Sequence, residues 1–91
     1  MPDEKIARAL RARVRRDILH LLGENNNRSV KELANILHIT ESRASKHLKF
    51  LYDMGLVDIQ NDPPKKFYFL KFTEIKDLVV IYDKIVEKME K

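Results

Sequence analysis

No cysteine occurs in the 91 residues. That excludes disulfides, thiolate metal sites, cysteine nucleophiles and thiol redox sensing, and it fits a reducing cytoplasm, the compartment expected here. No apolar run approaches the ~20 residues needed to cross a bilayer, so no membrane partner is expected. No secretory leader is expected either, because the start, MPDEKIARALRARVRR, is charged throughout. Glycine stands only at positions 23 and 55, and both read as helix ends. Pro63 and Pro64 make the one rigid break in the interior. There is no repeat, no low-complexity segment and no linker, so residues 1–91 are expected to form a single domain. Half that length would not hold a workable core. Paired acid and base, a glycine-rich phosphate loop and a nucleophile beside a base are all missing, which argues against an enzyme and against a cofactor.

What is present is a globular composition, 44% hydrophobic and 35% charged. The net charge of +4 is unevenly spread. Residues 1–23 carry a net +3, residues 40–55 a net +1, and residues 73–91 a net −1. A basic front with a near-neutral back suits a polyanion met by one face, with ordinary surface charge as the plain alternative.

Residues 4–22 read as helix, with Leu10, Val14, Ile18, Leu21 and Leu22 at helical spacing. They make one helix, or two with a kink near residues 10–12. Arg8, Arg11, Arg15 and Arg16 lie largely away from the apolar stripe, and Gly23 stops the helix. Ser29 and Glu32 form a capping box that opens the next helix, whose buried stripe is Val30, Leu33, Ala34 and Leu37. His38 and Ile39 turn the chain, and Thr40 caps a helix that runs to about Met54, ended by Gly55. Residues 57–60 and 66–72 read as two strands joined through Asn61–Lys65. Thr73 caps a last helix over about 74–90. Its stripe of Ile75, Leu78, Val79, Tyr82, Ile85, Val86 and Met89 is widened by Ile81.

The order is helix, helix, short turn, helix, hairpin, helix. It describes a mostly α fold with a small β-hairpin, a winged helix-turn-helix. The helix-turn-helix falls at about 29–54, the wing at about 57–72 and the terminal helix at about 74–90. At about 100° per residue, Ala44, Leu48 and Leu51 share one face of the second motif helix, and Ser42, Lys46, Lys49 and Asp53 lie opposite. A helix with such a polar face has the width of a DNA major groove.

The stretch also resembles the ArsR-type family of winged-helix transcriptional regulators. The resemblance rests on Glu32-Leu33-Ala34, on Ser45-Lys46-His47-Leu48-Lys49-Phe50-Leu51 and on Gly55-Leu56-Val57. It implies a homodimer joined through its first and last helices, with Glu41–Met54 as recognition helix and Asn61–Lys66 as wing. It further implies binding to an inverted repeat near a promoter, with repression by blocking polymerase. Many family members sense metals through two cysteines, and the matching positions here are Ser29 and Lys31. The last helix has Asp77, Asp83, Glu87 and Glu90 but no histidine, so no metal is expected. The wing carries two prolines and the acids Asp58 and Asp62 where a family wing has Gly and Arg.

The residues expected to touch DNA are therefore Ser42, Arg43, Ser45, Lys46, Lys49, Lys65 and Lys66. Those expected to make the dimer seam are Ile75, Leu78, Val79, Tyr82, Ile85, Val86 and Met89, since a chain this short has few helices to cover such a stripe. Arg43, near the start of its helix, can pair with a guanine edge. Ser45 can reach phosphate or bond back to its own helix. His47 reads as a packing residue with phosphate contact as the alternative, and His20 and His38 as isolated structural residues. Arg8, Arg11, Arg13, Arg15 and Arg16 read as a polyanion patch or, preferably, as the solvated side of a helix behind the recognition helix. The partners expected are double-stranded DNA and a second copy of the chain. The rival reading is a winged-helix module that binds another protein.

Overall fold

The computed structural model describes residues 1–91, and the first amphipathic stretch divides inside the expected kink. Helix α1 (Pro2–Leu10) and helix α2 (Arg13–Glu24) are separated by Arg11 and Ala12, where Ala12 takes an extended backbone (φ −93°, ψ 130°). The chain continues through β1 (Arg28–Ser29), α3 (Val30–Leu37), α4 (Glu41–Asp53), β2 (Val57–Asp62), β3 (Lys65–Leu70) and α5 (Glu74–Met89). No helix is long and apolar enough to cross a membrane.

An elbow of this kind leaves carbonyls unpaired at the end of α1, and two arginines of α2 satisfy them. Arg15 donates from Nε to the Ala9 carbonyl (3.0 Å) and from Nη2 to that of Arg8 (2.6 Å). Arg16 donates from Nη1 to the Leu10 carbonyl at 2.7 Å. Cations at a helix C-terminus also oppose its dipole. Arg16 reaches further, to Asp83 on α5, with Nε and Oδ1 2.7 Å apart, and its guanidinium lies 5.1 Å from the centre of the Tyr82 ring. The other Asp83 oxygen meets His20. Arg16 is thus only 8% exposed, which corrects its assignment to a solvated face, and His20 is not isolated.

The capping box forms. Glu32 N–H donates to the Ser29 hydroxyl at 3.2 Å, and Ser29 N–H to Glu32 Oε1 at 3.3 Å. Thr40 Oγ1 accepts from Arg43 N–H at 3.1 Å. After α4, Gly55 has φ 85°, a left-handed conformation that glycine adopts at little cost. Two other expected helix ends hold to within a residue but without the expected cap. Gly23 lies inside α2, and a Cβ there would come 2.9 Å from Cγ of Lys76, so this glycine serves the close approach of α2 and α5. Thr73 has helical backbone (φ −64°, ψ −25°) and makes no capping bond; its hydroxyl is 3.3 Å from Glu74 Oε1.

The hairpin is tighter than expected, with Pro63 and Pro64 alone between strands 57–62 and 65–70. Phe72 falls outside β3. On the other edge of β3 a third strand adds Arg28 opposite Tyr68 and Ser29 opposite Phe67. Two residues carry no periodicity to read. Within the hairpin, Val57 pairs with Leu70 and Ile59 with Tyr68. These pairs share one face and meet the helices.

Helix α2 is the centre of the core. Its Ile18, Leu19 and Leu22 are fully buried with Leu33 of α3, Leu48 and Leu51 of α4, Val57 of β2 and Val79 of α5. Each such side chain contributes about 1.5–3 kcal/mol by leaving water.

The single stripe expected on α5 proves to be two. Ile75 and Val79 are 5% and 0% exposed and belong to the protomer's own core. Tyr82 packs against that core, and Val86 is half-buried. Leu78, Ile81, Ile85 and Met89 point elsewhere, at 39%, 56%, 52% and 80% exposure. At about 100° per residue the two sets are centred roughly a quarter-turn apart. Ile75 and Val79 are therefore withdrawn from the expected seam, and Ile81 joins it. Ile6 of α1 and Phe72 line an open groove with Leu78, which carries the outward stripe across to the first helix.

Candidate nucleic-acid interface

Ala44, Leu48 and Leu51 anchor α4, each at 0% exposure. With that face held and Thr40 fixing the first turn, Ser42, Arg43, Ser45, Lys46 and Lys49 are all left exposed. Lys46 and Ser42 lie near the middle of the free face, and the remaining residues form two flanks.

On the wing flank, Ser45, Lys49 and Tyr52 border a groove whose far wall is Ile59, Lys66 and Tyr68. Lys66 pairs with Asn61, two positions along from the Ile59–Tyr68 pair, so it shares the face turned toward α4. Lys65 pairs with Asp62 on the opposite face and borders the hollow beside Ser29 and Lys31. Lys66 borders that hollow as well, so the two wing lysines differ only in that Lys66 also reaches the groove beside α4. Lys49 Nζ lies 3.2 Å from Asp53 Oδ2, with side chains 77% and 50% exposed. Exposed pairs one helical turn apart contribute only about 0.3–0.5 kcal/mol, so Lys49 can exchange this partner for a phosphate. Tyr52 was not among the expected residues. Its spacing from Ser45 and Lys49 on one helix face carried the signal.

On the other flank stand Arg43, His47 and Phe50. The Phe50 ring is covered by the guanidinium of Arg15 at 4.3 Å and approached by that of Arg8 at 5.7 Å, so α1 and α2 dock on α4 through stacked cations. Burial first, then the charges of Arg15 and Arg43, push the His47 imidazole below its ordinary pKa. Both effects favour the neutral ring, as suits a packing residue. His38 closes α3 in a left-handed conformation (φ 57°, ψ 43°).

The side chains at the family's metal-sensing positions do not fit a metal ion. The Ser29 hydroxyl is engaged in its cap, and Lys31 is an exposed cation. Asp77, Glu87 and Glu90 are exposed along α5. Asp83 meets a histidine, but its second oxygen holds Arg16, so a guanidinium already stands where a cation would.

Comparison with known proteins agrees with this geometry. The model of the bacterial regulatory protein, arsR family, matches residues 13–58, half of the chain, from the start of α2 into β2. The transcriptional activator HlyU of Vibrio cholerae is 33% identical over 61 residues, which cover 67% of this chain and 56% of that protein. The match thus spans little more than half the length of the curated relative. A solved structure of HlyU from Vibrio cholerae superposes with a TM-score of 0.80 at 30% identity, covering 92% of this chain and 90% of that one. A homodimeric winged helix-turn-helix DNA-binding domain from Mycobacterium bovis gives a TM-score of 0.83 at 22% identity, with 96% and 80% covered, a likeness of fold.

Proposed function

This chain belongs to the bacterial arsR family of regulatory proteins, DNA-binding winged helix-turn-helix transcription regulators rather than enzymes, and we propose that it acts in the cytoplasm as a homodimer reading an inverted repeat in duplex DNA. The observation that carries this reading is the free polar face of α4, Ser42 to Lys49, standing beside the groove it shares with Lys66. One domain holds every part: the helix-turn-helix, the wing over about 57–72, and α5 as dimerisation helix. Two copies related by a twofold axis would set their α4 helices in successive major grooves, ~34 Å apart.

Within each half-site, Lys46 supplies phosphate attraction from the centre of the free face. Arg43, near the α4 N-terminus, pairs its planar fork with guanine O6 and N7. Ser42, Ser45, Lys49, Lys65 and Lys66 hold the backbone. The outward stripe of Leu78, Ile81, Ile85 and Met89, with Val86 and Tyr82 at its border, joins the protomers. The relative HlyU is named an activator. In our reading the position of the repeat sets the sign, and a repeat overlapping a promoter gives repression by excluding polymerase.

Selection of bound sequences from random duplex DNA tests the proposal, followed by titration of Lys46→Ala and Arg43→Ala on selected and scrambled duplexes. Lys46→Ala should weaken both DNAs alike and lower the salt slope by roughly 0.9 for each lost phosphate contact. Arg43→Ala should cost about 1–3 kcal/mol on the selected duplex and relax preference at one position per half-site. No loss for either variant would remove α4 from the interface and favour the protein-binding module.

A further inference from the structure

A group of guanidinium side chains gathers on the flank of α4 away from the wing with no acid in ion-pair contact with it. The ion pairs of the chain join Arg16 and His20 to Asp83 and Lys49 to Asp53; Arg8, Arg11, Arg15 and Arg43 take part in none. The group is nonetheless tight. Arg15 is bonded to the Arg8 carbonyl at 2.6 Å, and both guanidinium groups meet the Phe50 ring. After burial, the charges of Arg11 and Arg8 lower the pKa of Arg15, and Arg15 and Arg43 act together on His47. Like charges held this close repel one another unless an anion meets them.

The docking geometry supplies that anion. An α-helix with its side chains is about 10–12 Å across, and the major groove is about 12 Å wide. A helix lying in the groove therefore has a phosphate strand along each flank. Ser45, Lys49 and Lys66 face the strand on the wing side. The strand on the other side meets the elbow between α1 and α2, where Arg8 and Arg11 are exposed.

We propose that Arg8 and Arg11, beside the base-reading Arg43, grip the sugar-phosphate strand on the side of the major groove opposite the wing, so that the first helix is part of the DNA interface. The proposal rests on the DNA-binding reading above and extends it. Arg15 is a positioning residue: two carbonyls and the Phe50 ring hold its guanidinium inward, which leaves the outer surface to Arg8 and Arg11.

The test uses the full chain and a duplex obtained by selection, with binding measured over a range of salt. Arg8→Gln combined with Arg11→Gln should make the salt slope shallower by about 1.8 per half-site, about 3.6 for the dimer, so that between 50 and 200 mM salt the wild-type advantage shrinks roughly a hundredfold, on selected and scrambled DNA alike. Arg8→Lys with Arg11→Lys keeps the charge and should keep the slope. Phosphate ethylation should interfere with the wild type on both walls of each half-site and with the glutamine variant on the wing-side wall alone. An unchanged slope in a glutamine variant that still binds would overturn the proposal and leave the DNA-binding reading intact. So would an equal loss of slope in the lysine variant, since packing on Phe50 and not charge would then be the cause. Failure of the wild type to select any duplex would sink both.

Discussion

Arg16 is where the two ends of the chain meet. Its guanidinium closes the last turn of α1, pairs with Asp83 in the middle of α5 and covers the Tyr82 ring. Arg16→Ala leaves the Leu10 carbonyl short of a donor and Asp83 with His20 alone. It should cost about 2–4 kcal/mol in urea unfolding. Arg16→Lys should recover only part, because an ammonium cannot present the same fork. Burial raises the pKa of Asp83, but the hydrogen bonds from His20 and Arg16, and their charges, outweigh it and hold the carboxyl below its ordinary 3.8. A carboxyl depressed in the folded state stabilises the protein above the unfolded pKa and ceases to do so as pH falls through the folded one. The stability gap between wild type and Asp83→Asn should therefore close as pH drops below 3.8, as read from urea midpoints. A gap that widens on acidification would contradict this role.

Helix α5 works as an element with two apolar faces. One, Ile75 and Val79, is spent on the protomer's own core, and the other, Leu78, Ile81, Ile85 and Met89, faces outward. Ile81→Asp with Ile85→Asp should give a folded monomer: sedimentation shows half the mass while circular dichroism keeps its helix signal. Val79→Asp places a charge at a site of 0% exposure and should unfold the chain instead. A double variant that stays dimeric would move the seam elsewhere. Helix α4 follows the same logic with a different outer face, apolar where it is anchored and polar where it is free.

At the scale of the whole molecule, function in this reading needs two copies. A protomer measures 44 × 30 × 20 Å, so a dimer is large enough to hold two α4 helices one DNA turn apart. Such spacing is rigid, which makes half-site phase a test. Inserting five base pairs between half-sites rotates one by half a turn, so only one protomer can dock. Affinity should then fall about a hundredfold, the usual cost of losing bivalent engagement, as measured by fluorescence anisotropy. Equal affinity for both spacings would mean that protomers bind independently.

The sequence by itself determined whatever repeats within a turn of helix or a pair of strand residues. Ser29 with Glu32, Thr40 before Glu41, the spacing of Ala44, Leu48 and Leu51, and Gly55 after α4 are local regularities, and from them the order of elements and the polar face of α4 were legible. Tertiary structure decided what depends on partners far along the chain. Arg16 looked like one surface arginine among several because its partner Asp83 lies 67 residues away. Periodicity showed that α5 is apolar, but α2 selects the face turned inward, so Ile75 and Val79 could not be told from Ile81 and Ile85. Lys65 and Lys66 separate only once the hairpin register is set, because a strand turns successive side chains to opposite faces. The crowding of Arg8, Arg11 and Arg43 appears only when the α1–α2 elbow folds against Phe50. Hydrogen-bond spacing acts over a few residues, whereas burial and charge act through space, and that difference separates what one chain's order reveals from what its packing decides.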